Sequence, residues 1–372
     1  MSGEKKNIVY ILSDIRKSLS FEWIADSLSK DYRVTWILLN AGPSPMEKFL
    51  LERGYSVKRF NYHRKLGLVG IIIRLICFFI RIKPAVIHAH LLDAQLASLP
   101  AAWLTNVPKR VYTRHNSTYH HKYSRKGVIL DKLSNWLATD IISVSQATYK
   151  TLTELEFVDE RKIHRIPHGF EFSVFATDQA RIEAVRTKWN IGRGKPIVGV
   201  ISRHIEWKGI QYIIPAFETF LEEYPEATLV LANSHGPYQD QLLQQLINVP
   251  QDRYVFVPFE EDIPSLYALF DMFVHVPVDD LVEAFGQTYI EALACKVPCI
   301  FTASGIAAEC IVPNQHAIIV DFKNSQQILA ALKKLSEDAE LRILLSENGS
   351  KMVRERFQLP EMISKLNRVY EK

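Results

Sequence analysis

The chain has 372 residues, more than one hydrophobic core usually supports, so two domains are expected. Hydrophobic residues make up 48% of the chain and charged residues 23%, an ordinary balance for a soluble globular protein. The formal net charge of +4 is too small for the strongly basic surface of a nucleic-acid-binding protein, so that class is excluded.

The cysteines and the amino terminus predict a cytoplasmic protein. Cys77, Cys295, Cys299 and Cys310 show neither C-x-x-C spacing nor a histidine pattern, which favours reduced thiols and argues against a zinc site. Residues 1–7 are polar and the apolar run after them is short, so no secretory signal is predicted.

In the first half of the chain, six short apolar segments alternate with helix-like segments, the order that a buried parallel sheet requires. The predicted strands are Asn7 to Leu12, Arg33 to Leu39, Tyr55 to Phe60, Ala85 to His90, Arg110 to Thr113 and Asp140 to Val144.

A charged stretch, residues 158–195, is interpreted as the connection between two halves. It contains the strand-like segment Ile163 to Ile166 and the turn Pro167-His168-Gly169.

The second half repeats the alternation of strands and helices. Its predicted strands are Pro196 to Ser202, Ala227 to Asn233, Tyr254 to Pro258, Met272 to His275, Val297 to Thr302 and Ala317 to Val320. The predicted fold class is therefore α/β, with two tandem Rossmann-like, doubly wound parallel-sheet domains at 1–170 and 196–356, joined by a linker at 171–195. Ligands of such sheets bind beyond the carboxyl ends of the strands, so the expected site is a cleft that the two domains face.

The segment Pro277 to Cys299, PVDDLVEAFGQTYIEALACKVPC, places Glu283 and Glu291 on either side of a turn. A helix is predicted to begin near Phe285. The first N–H groups of a helix lack intrahelical acceptors, so this turn is suited to bind a phosphate, and Gly286 lets the anion approach closely. An isolated pair of acids would more simply be two surface residues, so the surrounding sequence has to decide.

The segment EAFGQTYIEALACKVPCI resembles the signature of the family-4 retaining glycosyltransferases, E-x-F-G-x-x-x-x-E-A-x-A-x-G-x-P-V. Both glutamates, the Phe-Gly between them and Pro298 match, whereas Lys296 stands where the family commonly has glycine. The resemblance covers nearly the whole chain. It implies a GT-B fold, with an acceptor-side first domain to which a helix at 357–372 crosses back, and a second domain that binds the nucleotide-sugar.

By this resemblance Glu283 binds hydroxyl groups of the donor sugar and Glu291 binds the ribose. The phosphates bind to the backbone of Phe285, Gly286, Gln287 and Thr288.

Two further segments of the second half match the family. VGVISRHIEWKG resembles VGRL-x-x-x-K-G, whose cations, Arg203 and Lys208 here, stabilise the departing diphosphate. YVFVPFEEDI resembles the border of the nucleotide base, with Phe259 and Glu260 as candidate neighbours.

In the first half, VYTRHNS resembles T-x-H-[DG], which makes His115 a contact of the donor sugar. AVIHAHLLDA resembles D-V-V-H-x-H, and its His88 and His90 share one face of a strand, which is either the buried side of the sheet or the cleft side.

The loop after the first strand departs from the family, which usually carries Gly-Gly there. This chain reads SDIRKSLS instead. Either Arg16, Lys17 or Ser18 substitutes for the backbone contacts, or the loop does not touch the donor.

The segment Leu66 to Ile82, LGLVGIIIRLICFFIRI, is apolar but too short and interrupted to span a bilayer. Two interpretations stay open. It is a helix packed on the first sheet, or it is an interfacial helix that holds the enzyme at an anionic membrane with a lipid-linked acceptor.

The predicted function is a retaining, metal-independent glycosyltransferase with no cofactor, acting on a glycan or lipid-linked acceptor in bacterial surface polysaccharide or glycoconjugate synthesis. A UDP-sugar donor is favoured over GDP-mannose. The alternatives are a sugar-nucleotide epimerase of the same architecture and a non-catalytic two-lobed sugar-binding protein. A nicotinamide dehydrogenase is disfavoured because G-x-G-x-x-G follows none of the predicted strands.

Overall fold

The computed structural model describes residues 5–62 and 67–371, which divide into two compact units. The first unit comprises the described residues up to Phe170 together with those from Phe357 onward, and the second unit is Glu171–Arg356. The predicted linker, 171–195, groups with the second unit and contains a helix.

The first unit is built on a seven-stranded parallel sheet with the order β3-β2-β1-β4-β5-β6-β7. Its strands are β1 (Asn7–Ser13), β2 (Arg33–Asn40), β3 (Ser56–Asn61), β4 (Val86–His90), β5 (Lys109–Arg114), β6 (Asp140–Ser143) and β7 (Ile163–Arg165). Its helices begin with α1 (Leu19–Leu28), α2 (Pro45–Glu52), α3 (Leu68–Ile82), α4 (Leu92–Leu104), α5 (Tyr119–Tyr123), α6 (Arg125–Leu137) and α7 (Gln146–Lys150).

The second unit has a six-stranded parallel sheet with the order β10-β9-β8-β11-β12-β13. Its strands are β8 (Ile197–Ile201), β9 (Thr228–Ala232), β10 (Tyr254–Val257), β11 (Met272–His275), β12 (Cys299–Phe301) and β13 (Ile318–Ile319). Its helices are α8 (Gln179–Lys188), α9 (Ile210–Phe220), α10 (Gln239–Gln245), α11 (Ile263–Tyr267), α12 (Gln287–Ala294), α13 (Ala307–Cys310), α14 (Ser325–Glu337) and α15 (Ala339–Arg356).

The last helix, α16 (Leu359–Glu371), belongs to the first unit. It packs beside α1, and the hydroxyl groups of Tyr370 and Tyr10 lie 2.6 Å apart, which ties the end of the chain to β1. The last residue of the predicted helix, Lys372, lies outside the described residues.

Side chains of β1 alternate between two cores, as the period of a strand requires. Tyr10 and Leu12 pack with α1, α2 and α16, whereas Val9 and Ile11 pack on the other face, with α3 and α4. Because helices cover both faces, β1 is buried and apolar on both sides from Ile8 to Leu12. The prediction of two parallel α/β sheets is confirmed.

Helix α3 corresponds to the described part of the predicted segment Leu66 to Ile82, whose first residue lies outside the description. Its buried residues, Ile71, Leu75 and Phe79, recur every fourth position and pack into the core of the first sheet. Within residues 5–62 and 67–371, no helix combines the length and apolar character needed to cross a membrane.

Candidate functional site

The second unit holds a buried ion pair between two of the predicted site residues. Lys208 lies in the loop after β8 and Glu283 in the loop after β11, and Nζ of Lys208 is 2.6 Å from Oε2 of Glu283. His275, the last residue of β11, places Nε2 3.3 Å from the same oxygen. The site thus forms where two neighbouring strands end, at the carboxyl edge of the sheet.

Burial alone would raise the pKa of the Glu283 carboxyl, but the charge of Lys208 and the hydrogen bond with His275 lower that pKa to about 2. Glu283 is therefore ionised at neutral pH. Burial lowers the pKa of His275, which favours the neutral imidazole. The charges in this cluster are one carboxylate and one ammonium group.

Helix α12 begins at Gln287, two residues later than predicted. The reason is Gly286, which takes φ +81 in the left-handed region and caps the helix. A Cβ atom there would lie 2.5 Å from the Tyr289 ring, so a larger residue would have to displace that ring. The short turn leaves the first N–H groups of α12 close in sequence to Glu283, and such N–H groups are the donors that an anion site requires.

Glu291 lies on α12 and is half-buried. The Tyr267 hydroxyl, at the end of α11, donates to Oε2 of Glu291 at 3.2 Å. Burial raises the pKa of Glu291 to about 7, although the hydrogen bond from Tyr267 acts in the opposite direction. The pKa of Glu283 is therefore lowered, whereas the pKa of Glu291 is raised.

The remaining predicted contacts of the second unit differ in their surroundings. Arg203 lies in the same loop as Lys208 with its side chain exposed, and Phe259 is exposed as well. Glu260 is buried, and its carboxylate accepts hydrogen bonds from Nζ of Lys188 at 2.8 Å and Nε1 of Trp189 at 2.6 Å. Lys188 is the last residue of α8, and Trp189 follows it in the segment that leads to β8.

In the first unit, His115 follows β5 and contacts two other histidines. Nε2 of His115 lies 3.0 Å from Nδ1 of His90, and the rings of His115 and His168 stack with centroids 5.6 Å apart. Burial lowers the pKa of His115 to about 3 and of His168 to about 4, and it holds the pKa of His90 well below its usual value. These three rings, with His88, are called the histidine cluster, and all are neutral at pH 7.

His88 and His90 lie on the buried face of the sheet. Nδ1 of His88 is 2.6 Å from the Tyr370 hydroxyl, and Nε2 is 2.8 Å from Oγ1 of Thr113. Burial lowers the pKa of His88 to about 3. His88 thus joins β4, β5 and α16 inside the first unit, while His90 lies between His88 and His115.

The loop that departs from the family precedes α1. Arg16 and Lys17 are exposed, and Oγ of Ser18 lies 3.0 Å from Oγ of Ser20. Ser20, together with Phe21 of α1, lines a small cavity with His90, His115 and His168. The loop therefore leads directly into the wall of the histidine cluster.

Sequence reasoning missed His168, His275 and Tyr267. His168 belonged to a Pro-His-Gly turn that was interpreted as part of a connection. The position of His275 at the end of a predicted strand was a usable signal. The sequence around Tyr267 contains no such signal, because its contact with Glu291 depends on the packing of two separate helices.

No group of three or more His, Cys, Asp or Glu side chains is arranged to hold a metal ion among the described residues. Asp279, one of the two acids in the loop before Glu283, accepts a hydrogen bond from the Leu281 N–H through Oδ1 at 3.0 Å.

Two family models match the chain, one over each half. The model of glycosyl transferases group 1 matches residues 181–352, and that of glycosyltransferase family 4 matches residues 24–174.

Curated relatives are similar at low identity. The capsular polysaccharide biosynthesis glycosyltransferase CapM of Staphylococcus aureus is 25% identical over 308 residues, which cover 80% of each chain. A GDP-mannose-dependent phosphatidylinositol monomannoside mannosyltransferase of Mycolicibacterium smegmatis is 27% identical over 185 residues, 47% of each chain.

Solved structures share the fold. Anabaena Alr3699/HepE in complex with UDP and glucose matches with a TM-score of 0.85 at 20% identity, over 99% of this chain and 100% of that one. A sucrose-phosphate synthase of Thermosynechococcus elongatus matches with a TM-score of 0.77 at 16% identity, over 99% and 98%. The two units thus have the tandem Rossmann-like GT-B architecture, as predicted.

Proposed function

Because the chain belongs to the group 1, family 4 glycosyltransferases, we propose that it transfers a sugar from a nucleotide donor to an acceptor hydroxyl with retention of anomeric configuration. A UDP-sugar is the favoured donor and GDP-mannose the next. The observation that carries the proposal is the buried, ionised Glu283 paired with Lys208 beside the start of α12.

On binding, the donor would separate this ion pair and become the new partner of each of its two side chains. The diphosphate takes over the charge of Lys208, with Arg203 from the same loop and the backbone N–H groups of residues 285–288. Glu283 is then free to accept hydrogen bonds from hydroxyl groups of the sugar. Lys208 therefore keeps Glu283 ionised before binding and meets the negative charge of the leaving group during transfer.

Glu291 would hold the ribose. A carboxylate accepts hydrogen bonds from a diol, whereas a protonated carboxyl can accept fewer. Since the pKa of Glu291 is about 7, ribose binding favours its ionised form and is expected to release a proton near neutral pH. Phe259 and Glu260 are proposed neighbours of the base.

The transfer itself would proceed on one face of the sugar. The bond between the anomeric carbon and the diphosphate oxygen breaks, and the acceptor oxygen forms its bond to that carbon from the same side. The acceptor proton passes to an oxygen of the departing diphosphate. His115 is neutral, so it would contact the donor sugar as a hydrogen-bonding group without adding charge.

We propose that no metal or other cofactor takes part, because Lys208, Arg203 and the N-terminus of α12 supply the positive charge that the diphosphate requires. Turnover that is unchanged after treatment with a chelator is the expected result. Activity that is lost with the chelator and restored by a divalent cation would contradict this part of the proposal.

The proposed acceptor is a glycan or a lipid-linked saccharide of the bacterial surface, in a cytoplasmic enzyme held at the membrane. The name of CapM supports this assignment, as does the helix α3, which exposes Val69, Ile73 and Ile80 on the side away from the sheet. We assign the segment 66–82 as a peripheral contact with an anionic membrane.

Arg16, Lys17 and Ser18 are proposed to replace the backbone contacts of the usual Gly-Gly loop. A variant with both Arg16→Ala and Lys17→Ala should then lose donor affinity. Unchanged affinity and turnover would show that this loop does not contact the donor.

Thermal unfolding with a panel of UDP-, GDP- and ADP-sugars tests the donor assignment. A ligand at about 100 times its Kd stabilises the native protein by about 2.7 kcal/mol, so the correct nucleotide should raise the Tm by several degrees. Product analysis with donor alone separates transfer from epimerisation, because an epimerase would convert the donor sugar without an acceptor. A panel in which no nucleotide-sugar raises the Tm would contradict the proposed function.

A further inference from the structure

Helix α6 exposes an apolar stripe that the proposed site does not use. Ile129, Leu133 and Trp136 are 68%, 41% and 64% exposed. They are spaced by four and three residues, so they lie along one side of the helix. The opposite side of α6 packs into the first unit through buried residues that include Ser134 and Leu137.

The stripe continues onto the neighbouring helices of the same layer. Trp136 contacts Trp103 at the end of α4, with ring centroids 5.7 Å apart, and Leu104 beside it is exposed. Helices α3, α4 and α6 all contribute to the core on one face of the first sheet, and α4 packs against both of the others. The exposed apolar side chains of α6 and α3 therefore point away from the same face of the sheet.

The exposed charged side chains of α3 and α6 are all basic. Between residues 67 and 138 the exposed Arg, Lys, Asp and Glu side chains are likewise all basic: Arg74, Arg81, Lys83, Lys122, Arg125, Lys126 and Lys132. The two acids of this range, Asp93 and Asp131, are not exposed, and Asp131 is paired with Arg114. On α6, Arg125, Lys126 and Lys132 flank Ile129 within one helical turn and form no ion pair with any other described residue.

We propose that Ile129, Leu133 and Trp136 of α6, together with Trp103 and Leu104 of α4, form a second membrane contact that inserts into an anionic bilayer. Tryptophan rings suit the interfacial region of a bilayer, where one edge meets hydrocarbon and the other meets water. The flanking basic groups complement the charge of anionic headgroups. A second copy of the chain fits less well, because a two-fold contact through this layer would bring basic groups against basic groups.

This inference rests on the proposed function in one respect. A lipid-linked acceptor would give the enzyme a reason to bind a membrane. A single amphipathic helix leaves an enzyme free to rotate about that helix at the surface. Contacts on α3 and α6, at two places in one layer, would fix the orientation of the first unit relative to the bilayer.

The test measures binding to vesicles by co-sedimentation at low salt, with phosphatidylcholine alone and with phosphatidylcholine mixed with phosphatidylglycerol. The variant Ile129→Gln/Trp136→Gln, called the stripe variant, removes the two most exposed of the three side chains of the stripe. The matched control is Ile343→Gln/Leu344→Gln on α15, where the two apolar side chains are 65% and 48% exposed. A third variant, Arg125→Gln/Lys126→Gln/Lys132→Gln, removes the charge but keeps the apolar side chains.

We expect the wild type to bind the mixed vesicles more strongly than phosphatidylcholine alone. The stripe variant should bind at least about tenfold more weakly, since each large apolar side chain contributes on the order of 1.5 kcal/mol or more when it leaves water. The charge variant should show a smaller preference for phosphatidylglycerol than the wild type, and the α15 control should bind like the wild type.

Equal vesicle binding by the wild type and the stripe variant would overturn the proposal, as would a wild type that binds neither vesicle. A concentration-dependent dimer that the stripe variant abolishes would assign the surface to a second copy instead.

Stabilisation by UDP-sugars is measured on the same proteins. If the stripe variant keeps that stabilisation but loses vesicle binding, the membrane contact is separated from the donor site. If the wild type lacks that stabilisation, the proposed function fails while the vesicle result stands.

Discussion

The two units carry clusters of opposite electrostatic character. In the second unit, the buried Glu283 forms an ion pair with the half-buried Lys208, whose charge keeps the Glu283 carboxylate ionised. In the first unit, His88 and His90 are buried and His115 and His168 are half-buried, and the removal of these rings from water lowers their pKa values and keeps all four neutral. Burial acts on both clusters, and in the second unit the charge of Lys208 overcomes its effect on the pKa of Glu283.

This contrast matches the parts of a nucleotide-sugar that each cluster is proposed to contact. A diphosphate carries charge and needs a cation, whereas a sugar ring is neutral and needs oriented hydrogen bonds. A charged histidine near the departing diphosphate would compete with Lys208 for the same anion. Four variants test the contrast, beginning with the largest expected effect, and a fifth tests the end of the helix that carries Glu291.

Lys208→Ala should destabilise the second unit most. It leaves a buried carboxylate without its cation, and breaking one side of such a pair costs about 3 kcal/mol or more, which corresponds to a fall in Tm of about 6 °C or more. The loss should become smaller below pH 4.5, where Glu283 of the variant can accept a proton. Lys195→Ala, at an exposed pair with Asp271, is the control and should cost less than about 1 kcal/mol. An equal effect of both substitutions would show that the Lys208 pair is not a buried one.

Glu283→Gln should lower the rate of sugar transfer by about 100-fold or more, because the neutral side chain no longer accepts strong hydrogen bonds from the donor hydroxyls and leaves Lys208 without its anion. Steady-state kinetics with the identified donor measure the effect. Asp280→Asn, in the same loop and exposed, is the control and should keep wild-type turnover. Full activity of the Gln variant at wild-type donor affinity would end the assignment of Glu283.

Glu291→Gln should weaken donor binding about tenfold, since a hydrogen bond to a charged group contributes about 1.5 to 3 kcal/mol. The same variant should gain stability relative to the wild type as the pH rises. The pKa of Glu291 is raised to about 7, so its protonated form contributes stability that is complete below pH 4.5 and is lost through pH 7. Between pH 5 and pH 8 the variant should therefore gain about 2 kcal/mol of stability relative to the wild type, measured from melting curves at both pH values. A variant that is less stable, relative to the wild type, at pH 8 than at pH 5 would contradict the raised pKa.

His115→Gln tests the neutral cluster. The pKa of His115 is lowered to about 3, so the unfolded chain binds a proton below pH 6.5 that the native protein does not, and stability falls as the pH falls. The variant lacks this pH-dependent contribution to the free energy of unfolding. Its deficit in Tm relative to the wild type should therefore be smaller at pH 5.5 than at pH 7.5, by the equivalent of about 1 kcal/mol. Ser20→Ala, a non-titrating change in the wall of the same cavity, should show the same deficit at both pH values. An unchanged deficit for the His115 variant would mean that the pKa of this ring is the same in the native and the unfolded protein.

Much of the fold was predictable from the sequence, because buried parallel strands are apolar on both faces and stand out as short uninterrupted runs. β1 and β11 agree with their predicted ranges to within one residue, whereas β12 and β13 are shorter than predicted. The residues of the ion pair could be named, but their contact could not. Lys208 and Glu283 are 75 residues apart, and a motif does not specify which side chains meet. The stacking of His168 on His115 and the bond from Tyr267 to Glu291 depend likewise on tertiary packing.

Lys296→Gly should have the smallest effect, and it tests whether the helix that carries Glu291 is strained. Lys296 ends α12 with φ +57, where glycine is favoured, and the bonds from the N–H of Val297 to the carbonyl of Ala292 and from the N–H of Lys296 to that of Leu293 form a Schellman turn. The turn is thus kept without the family's glycine. Relief of the left-handed backbone gains about 1 kcal/mol, and loss of the exposed pair with Glu347 offsets part of it. A rise in Tm of about 1 to 2 °C with unchanged donor affinity is expected. Lys296→Ala removes the same pair but keeps a Cβ atom, so a variant with alanine that is as stable as the one with glycine would assign the gain to the charge and not to the backbone.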